Sequence, residues 1–195
     1  EKLKKSSAPM ARHVLEMKEQ IGQLAARLAK LPRSRLKNAT KRAAVLVPIC
    51  TVKGGEPSIL YNLRSQHMTS HAGEVSFPGG REEKGDASLV ETALREAEEE
   101  MGLPRKRVTV LGQLEEVKSK HGLAVTPVIG IVDGIIDLKT DNLVNPESGE
   151  IEENFTVPLS AESVDPLLCF GPACMSPLEL RSLVPTTCVC FARNE

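Results

Sequence analysis

Aromatic side chains are scarce in this chain, at 3% of 195 residues, with no Trp and a single Tyr. Too few flat π-faces remain to build a stacking platform for single-stranded nucleic acid, so no nucleic-acid partner is expected. Long apolar runs are missing as well. The longest, Ala43 to Cys50, has eight residues and contains Pro48, whereas a helix needs about 20 apolar residues to cross a bilayer. A soluble protein with no membrane partner is expected. Cysteines are few and odd in number: Cys50 stands apart, and Cys169, Cys174, Cys188 and Cys190 lie within the last thirty residues. No pair has a C-x-x-C spacing and no His accompanies the tail group, which argues against a zinc site. Reduced thiols in an intracellular compartment are expected, rather than a disulfide framework. There is no internal repeat.

What remains is globular in character, with 41% hydrophobic and 26% charged residues. The length suits one domain with extensions. The net charge of −1 hides an asymmetry: residues 1–42 carry 12 Lys/Arg against 3 Glu, and residues 43–195 carry 13 against 23 acidic residues. A basic arm is joined to an acidic body. Three uses of the arm stay open: contact with a phosphate-rich partner, part of a targeting segment, or simple solvation, the commonest fate of such runs. The chain opens on Glu1, so its natural start is expected upstream.

Three regions are expected. In residues 1–42, Val14, Met17, Ile21, Leu24, Leu28 and Leu31 alternate spacings of three and four, one stripe of an amphipathic helix that Pro32 ends. That stripe is short for a coiled coil, and it suits a helix laid on its own domain as well as one offered to a partner. A basic linker follows over 33–42. The domain proper is expected over 43–160, with a divergent, poorly ordered cysteine-bearing tail over 161–195. Within the domain, strands are predicted at Ala43–Cys50 and Ser58–Leu63 around a Lys53–Pro57 turn, and at Glu74–Phe77 before a Pro78-Gly79-Gly80 turn. A helix is predicted from Ala87 to Met101, then strands in Arg107–Val117, Leu123–Val132 and Phe155–Leu159. Mixed β structure with one marked helix indicates an α/β fold.

The helix carries the chemistry. Ser88-x-x-Glu91 forms a capping box, with Asp86 as an alternative N-cap, and Gly102 supplies the stop before Pro104. Val90, Ala93, Leu94, Ala97 and Met101 make one apolar stripe. Glu96, Glu99 and Glu100 make a second, spaced i, i+3, i+4, so their carboxylates are expected to converge at the border of core and solvent. Arg95 and Glu91 fall on a third side and are expected to pair. Like charges at i, i+4 cost roughly 0.2–0.5 kcal/mol each, and glutamates in the last turn oppose the helix dipole by about 0.3–1 kcal/mol. A hard cation such as Mg²⁺ would remove that penalty, because it takes oxygen ligands. The Gly79-Gly80 turn lets backbone approach a ligand closely, and with the glutamates forms a cradle for a metal–diphosphate. The alternative, a solvated acidic helix face, is equally weighted on spacing alone.

Gly80 through Leu103 resembles the Nudix box, G-x5-E-x7-R-E-U-x-E-E-x-G-U. Arg95-Glu96-Ala97-Glu98-Glu99-Glu100-Met101-Gly102-Leu103 matches its second half. The first half departs: Gly80 is one position too far from Arg95, and Ala87 stands where the box has Glu, leaving Asp86 and Glu91 as substitutes. Phe77-Pro78-Gly79-Gly80, Thr92-Ala93-Leu94-Arg95-Glu96, Leu63-Arg64-Ser65, Gly73–Phe77, Val125–Val128 and Phe155–Leu159 are similar to the coenzyme A diphosphatase branch of that family, especially its mitochondrial animal member. The resemblance runs over about Ala43–Leu159 and ends near Ser160. It implies an α/β/α sandwich that hydrolyses coenzyme A or acyl-CoA to 3′,5′-ADP and (acyl-)4′-phosphopantetheine. Glu96, Glu99 and Glu100 would bind Mg²⁺ or Mn²⁺, Arg95 would orient the helix through a salt bridge, and Gly79 and Gly80 would lie against substrate. Arg64 is a candidate for a substrate phosphate, with an ordinary surface arginine as the alternative. Glu150, Glu152 and Glu153 are candidates for a further carboxylate, while His67 and His71 are read as structural or solvated. A mitochondrial location is expected, with cytoplasm or peroxisome as alternatives, although the final Arg193-Asn194-Glu195 is no peroxisomal tripeptide. Two other functions stay open: a catalytically impaired nucleotide- or CoA-binding module, and a pyrophosphatase for another nucleotide diphosphate derivative.

Overall fold

The computed structural model describes residues 19, 21–69, 71–119, 122–141, 143 and 148–159. Val14 and Met17 of the amphipathic stripe lie outside the described residues, as does the tail over 161–195 with its four cysteines. Helix α1 (residues 21–28) precedes β1 (Arg42–Val52), β2 (Pro57–Arg64), β3 (Val75–Ser76), β4 (Gly79–Arg81) and α2 (Leu89–Met101). A 3₁₀ turn at Arg105–Arg107 then leads to β5 (Val108–Gln113), β6 (Val117–Lys118), β7 (Ala124–Ile136) and β8 (Ile151–Pro158).

The eight strands form one mixed sheet with the spine β3-β2-β1-β7-β5. β1 and β7 run parallel from Arg42 opposite Ala124 to Val52 opposite Ile136. The other pairings are antiparallel. The predicted Lys53–Pro57 turn closes the β1–β2 hairpin, with Gly54 and Gly55 at φ 111° and 88°, backbone that side chains disfavour.

Several predicted boundaries differ from the structure: β7 runs on to Ile136, β8 starts at Ile151 and not at Phe155, and α2 starts at Leu89 and not at Ala87. Gly79-Gly80 is a strand and not a turn: Gly79 pairs with Val45 and Gly80 with Ala44. The approach is so close that a Cβ on Gly79 would lie 2.4 Å from the Ala44 carbonyl oxygen. The β-rich stretch expected over Arg107–Val117 holds β5 and, after a break, the start of β6, both on β7. Opposite the break stands Pro127, which accepts from the Leu114 N–H at 2.9 Å but has no N–H to return, so the ladder lapses there.

Strand alternation sends side chains to two cores. Toward α2, Ala44, Leu46, Leu60, Val128 and Val132 pack on Ala93, Leu94, Ala97 and Met101 of the predicted apolar stripe. Toward α1, Val47, Ile59, Tyr61 and Ile129 pack on Leu24 and Leu28. Tyr61 stacks between Phe77 and Phe155, with ring centroids 4.8 and 5.7 Å away. The result is the expected α/β architecture, with one described helix on each face of the sheet. Leu24, Leu28 and Leu31 of the amphipathic stripe thus meet the chain's own sheet. Cys50 is buried in the α2-facing core, and burial pushes its thiol up to about 12, so it behaves as a small apolar group.

Leu28 is 1% exposed and its Cβ sits 3.0 Å from where a Cβ on Gly112 would lie. Leu28→Ala is expected to lower the unfolding free energy by about 2–5 kcal/mol, the cost of a buried leucine cavity. Urea denaturation checks this. An unchanged midpoint would show that α1 adds nothing to the core.

Candidate active site

Helix α2 begins as its sequence predicts. Ser88 is the N-cap, and its side chain accepts from the Glu91 N–H at 3.3 Å; Gly102, at φ 63°, closes the C-terminus by donating to the carbonyls of Ala97 and Glu98. Asp86, the alternative cap, does something else. One of its oxygens accepts from Arg95 Nε at 3.0 Å, and the other from Arg95 Nη2 at 3.1 Å and Thr92 Oγ1 at 2.9 Å. This two-pronged pair fits the planar guanidinium and holds the loop before α2 against the helix. The predicted pairing of Arg95 with Glu91 does not form, because Glu91 bonds Arg105 at 2.9 Å instead. Of the two substitutes for the glutamate absent at Ala87, Asp86 is the one beside Arg95. Its carboxyl is held well below the usual range, chiefly by the hydrogen bond from Arg95 and against the effect of burial.

The three glutamates share a flank of α2, yet their carboxylates are divided between two arginines and do not meet at one point. Arg95 Nη1 sits between Glu96 Oε1 at 3.0 Å and Glu99 Oε2 at 2.9 Å. Glu100 turns inward. Its Oε2 accepts from the Gly79 N–H at 3.0 Å and from Asn62 Nδ2 at 3.1 Å, while its Oε1 accepts from Arg64 Nη1 at 3.2 Å. Arg64 Nη2 reaches on to Glu150 Oε2 at 3.2 Å, so this arginine is no surface residue; its side chain is 16% exposed. Glu152 and Glu153 are exposed on β8 and stay out of the cluster. Gly80 faces Glu96 so closely that a Cβ there would lie 2.2 Å from Glu96 Oε1. His71, for which the sequence offers no partner, bonds Glu74 at 2.8 Å.

Among the described residues no three His, Cys, Asp or Glu side chains are already gathered around one point that could hold an ion. The donor chemistry nonetheless fits a hard cation: oxygen ligands on one helical flank, facing a glycine strand that leaves room. The charge balance fits too. Burial raises Glu100 to about 7, outweighing the Gly79 N–H and Arg64, and burial also raises Glu96; Glu150 adds to the effect on both. Negative charge here exceeds what the two arginines neutralise. Glu99 has 57% of its side chain exposed, and Arg95 Nη1 is the positive group between it and Glu96.

Sequence reasoning overlooked Asn62, at the centre of the Glu100 contacts. The signal was there: an amide interrupting the apolar strand Ile59-Leu60-Tyr61. It also left the partner of Arg95 undecided, since Asp86 lies nine residues away and outside helical spacing.

Asp86→Asn is expected to cost about 2 kcal/mol at pH 7, within the range for hydrogen bonds to charged groups. Because the folded pKa of Asp86 lies below the unfolded value of about 3.9, its contribution is present above that pH and lost as pH falls through the folded value. Urea midpoints of wild type and Asp86→Asn should therefore be well separated at neutral pH and draw together in acid. A gap that stays constant or widens would contradict this assignment.

Three comparisons bear on kinship. The family model described as the NUDIX domain matches residues 40–168. The chain is 53% identical over 90 residues to "Uncharacterized Nudix hydrolase NudL" of Yersinia enterocolitica, covering 46% of this chain and 45% of that protein. It is 44% identical over 130 residues to the protein of the same name from Photorhabdus laumondii, covering 66% and 65%. The chain thus spans between 45% and 65% of the length of these curated relatives. Among solved structures, a C. elegans Ap4A hydrolase binary complex overlaps 60% of this chain and 80% of its own at 19% identity and a TM-score of 0.49. The NUDIX domain of Shewanella oneidensis NrtR, complexed with ADP ribose, overlaps 69% and 82% at 18% identity and a TM-score of 0.46. By the match of its family model over the whole described sheet and the whole of α2, this chain belongs to the Nudix family.

Proposed function

We propose that the protein hydrolyses the diphosphate bond of coenzyme A or acyl-CoA, yielding 3′,5′-ADP and (acyl-)4′-phosphopantetheine. One water is consumed: its oxygen joins one phosphorus, and the bridging oxygen leaves with the other phosphate. The observation that carries the reading is the junction at Glu100. There α2 meets Arg64 of the Leu63-Arg64-Ser65 element and Gly79 of Phe77-Pro78-Gly79-Gly80, the elements that resemble the coenzyme A branch.

Each residue then has a task. Gly79 and Gly80 leave the strand edge free of side chains, so a diphosphate approaches the helix flank. Arg64 keeps a buried Nε–H with no acceptor among the described residues, a donor suited to a phosphate oxygen. Asp86 holds Arg95, and Arg95 fixes the rotation of α2 relative to β4 through the Arg81 carbonyl at 3.1 Å. Glu96, Glu99 and Glu100 would hold Mg²⁺ or Mn²⁺, and a bound divalent ion supplies polarisation of the phosphoryl oxygens and activation of water. No described helix is long and apolar enough to cross a membrane.

A second reading, a module that binds the nucleotide without turnover, is favoured by one observation: Arg95 Nη1 occupies the place between Glu96 and Glu99. Incubation with CoA and Mg²⁺, followed by chromatography for 3′,5′-ADP, separates the two. Turnover by the wild type is expected, with Glu100→Gln slower by about 100-fold or more, the scale of losing a directly acting polar group. Saturable CoA binding without product would favour the binding module. Full activity in Glu100→Gln would remove the site from the reaction. A panel of other nucleotide diphosphate derivatives, ranked by kcat/KM, tests the choice of substrate.

A further inference from the structure

β2 carries an amide where its pattern calls for an apolar side chain. Ile59 and Tyr61 face α1, Leu60 faces α2, and Asn62, two residues on from Leu60, faces α2 at 0% exposure. Its register neighbours are Asn154 on β8 and Ser76 on β3, so a polar row crosses three strands on one face of the sheet. Burying an amide is unfavourable unless its hydrogen bonds are made. Asn62 makes one through its side chain, from Nδ2 to Glu100 Oε2, and its Oδ1 has no partner among the described residues. The amide is therefore poorly satisfied for its own sake, and an apolar residue would suit the strand better. What it does accomplish is local to Glu100.

The two oxygens of Glu100 are held differently. Oε2 receives two neutral donors, the buried Asn62 Nδ2 and the part-buried Gly79 N–H, each held by a strand of the sheet. Oε1 receives Arg64 Nη1, a group on a longer side chain that Glu150 also engages. Neutral donors orient a carboxylate while leaving its charge available to a cation, and a partner of this kind is typically worth about 10–100-fold in metal affinity or activity.

We propose that Asn62 is a positioning residue for the reaction: its amide pins Oε2 of Glu100 against Gly79, leaving Oε1 as the oxygen presented to a divalent cation or to Arg64. The inference rests on the reading of Glu100 as a metal-holding residue and not on the identity of the substrate.

The test uses the full chain, Asn62→Leu and Asn62→Ala, with Ser76→Ala as a control from the same row. The first readout is the Gly79 amide in metal-free protein by NMR, since that proton is bonded to the oxygen that Asn62 holds. The second is Mn²⁺ affinity by electron paramagnetic resonance without substrate. Both Asn62 variants should move the Gly79 amide upfield, speed its exchange with solvent and weaken Mn²⁺ binding about 10–100-fold, with Ser76→Ala matching wild type. Should Asn62→Leu fail to fold, the smaller Asn62→Ala carries the test. Unchanged Gly79 exchange and Mn²⁺ affinity in the Asn62 variants would overturn the proposal. So would an equal loss in Ser76→Ala, which would assign the effect to the polar row, or a wild type that binds no Mn²⁺. A wild type that binds Mn²⁺ but leaves CoA intact would defeat the substrate reading alone.

Discussion

The buried carboxylate of Glu100 is the contact on which the site is built. Its two oxygens receive N–H groups from β2, β4 and Arg64, so one side chain of α2 is tied to two strands at once. A carboxylate taken out of water is costly unless hydrogen-bonded, and here the donors come from the two strands beside α2. The glycine strand is drawn against the helix, and the arginine at the end of β2 is drawn over both. The charge that makes Glu100 expensive to bury also makes the junction specific.

Arg95 is the complementary constraint. It joins Asp86 in the preceding loop, the Arg81 carbonyl on β4, and Glu96 and Glu99 on its own helix. This explains how α2 tolerates three neighbouring glutamates near its C-terminus, where the dipole opposes them. Two are offset by Arg95 and the third by Arg64 and backbone. Burial is what chiefly raises Glu96 and Glu100, with Glu150 adding to it, and a divalent ion would favour their charged forms.

The far face of the sheet matters less to chemistry but limits how the domain is cut. Leu24 and Leu28 of α1 close the core on Val47, Ile59 and Ile129. The basic segment leading into β1 is also tied down: the Leu36 N–H, and Arg42 Nε at the first position of β1, both donate to Glu116, at 2.7 and 3.0 Å. Part of the charge asymmetry is thus used internally, basic arm against acidic body.

Local pattern was enough for much of this molecule. Apolar runs and the Gly-Pro turn marked β1 and β2, while Ser88, Gly102 and the 3.6-residue period marked α2 with its buried and acidic stripes, because caps and periodicity act within one turn or one strand. Partnerships across the fold were out of reach of that reasoning. Gly79-Gly80 looks like a turn until β1 lies beside it, and Asn62 looks like a flaw in a strand until Glu100 is above it. Arg95 chooses Asp86 over Glu91 because the loop delivers two oxygens in the plane of the guanidinium, a geometry that helical spacing does not encode. The residue types were written in the chain, and which charge meets which was decided by packing, since ion pairs and hydrogen bonds depend on distance in space and not along the backbone.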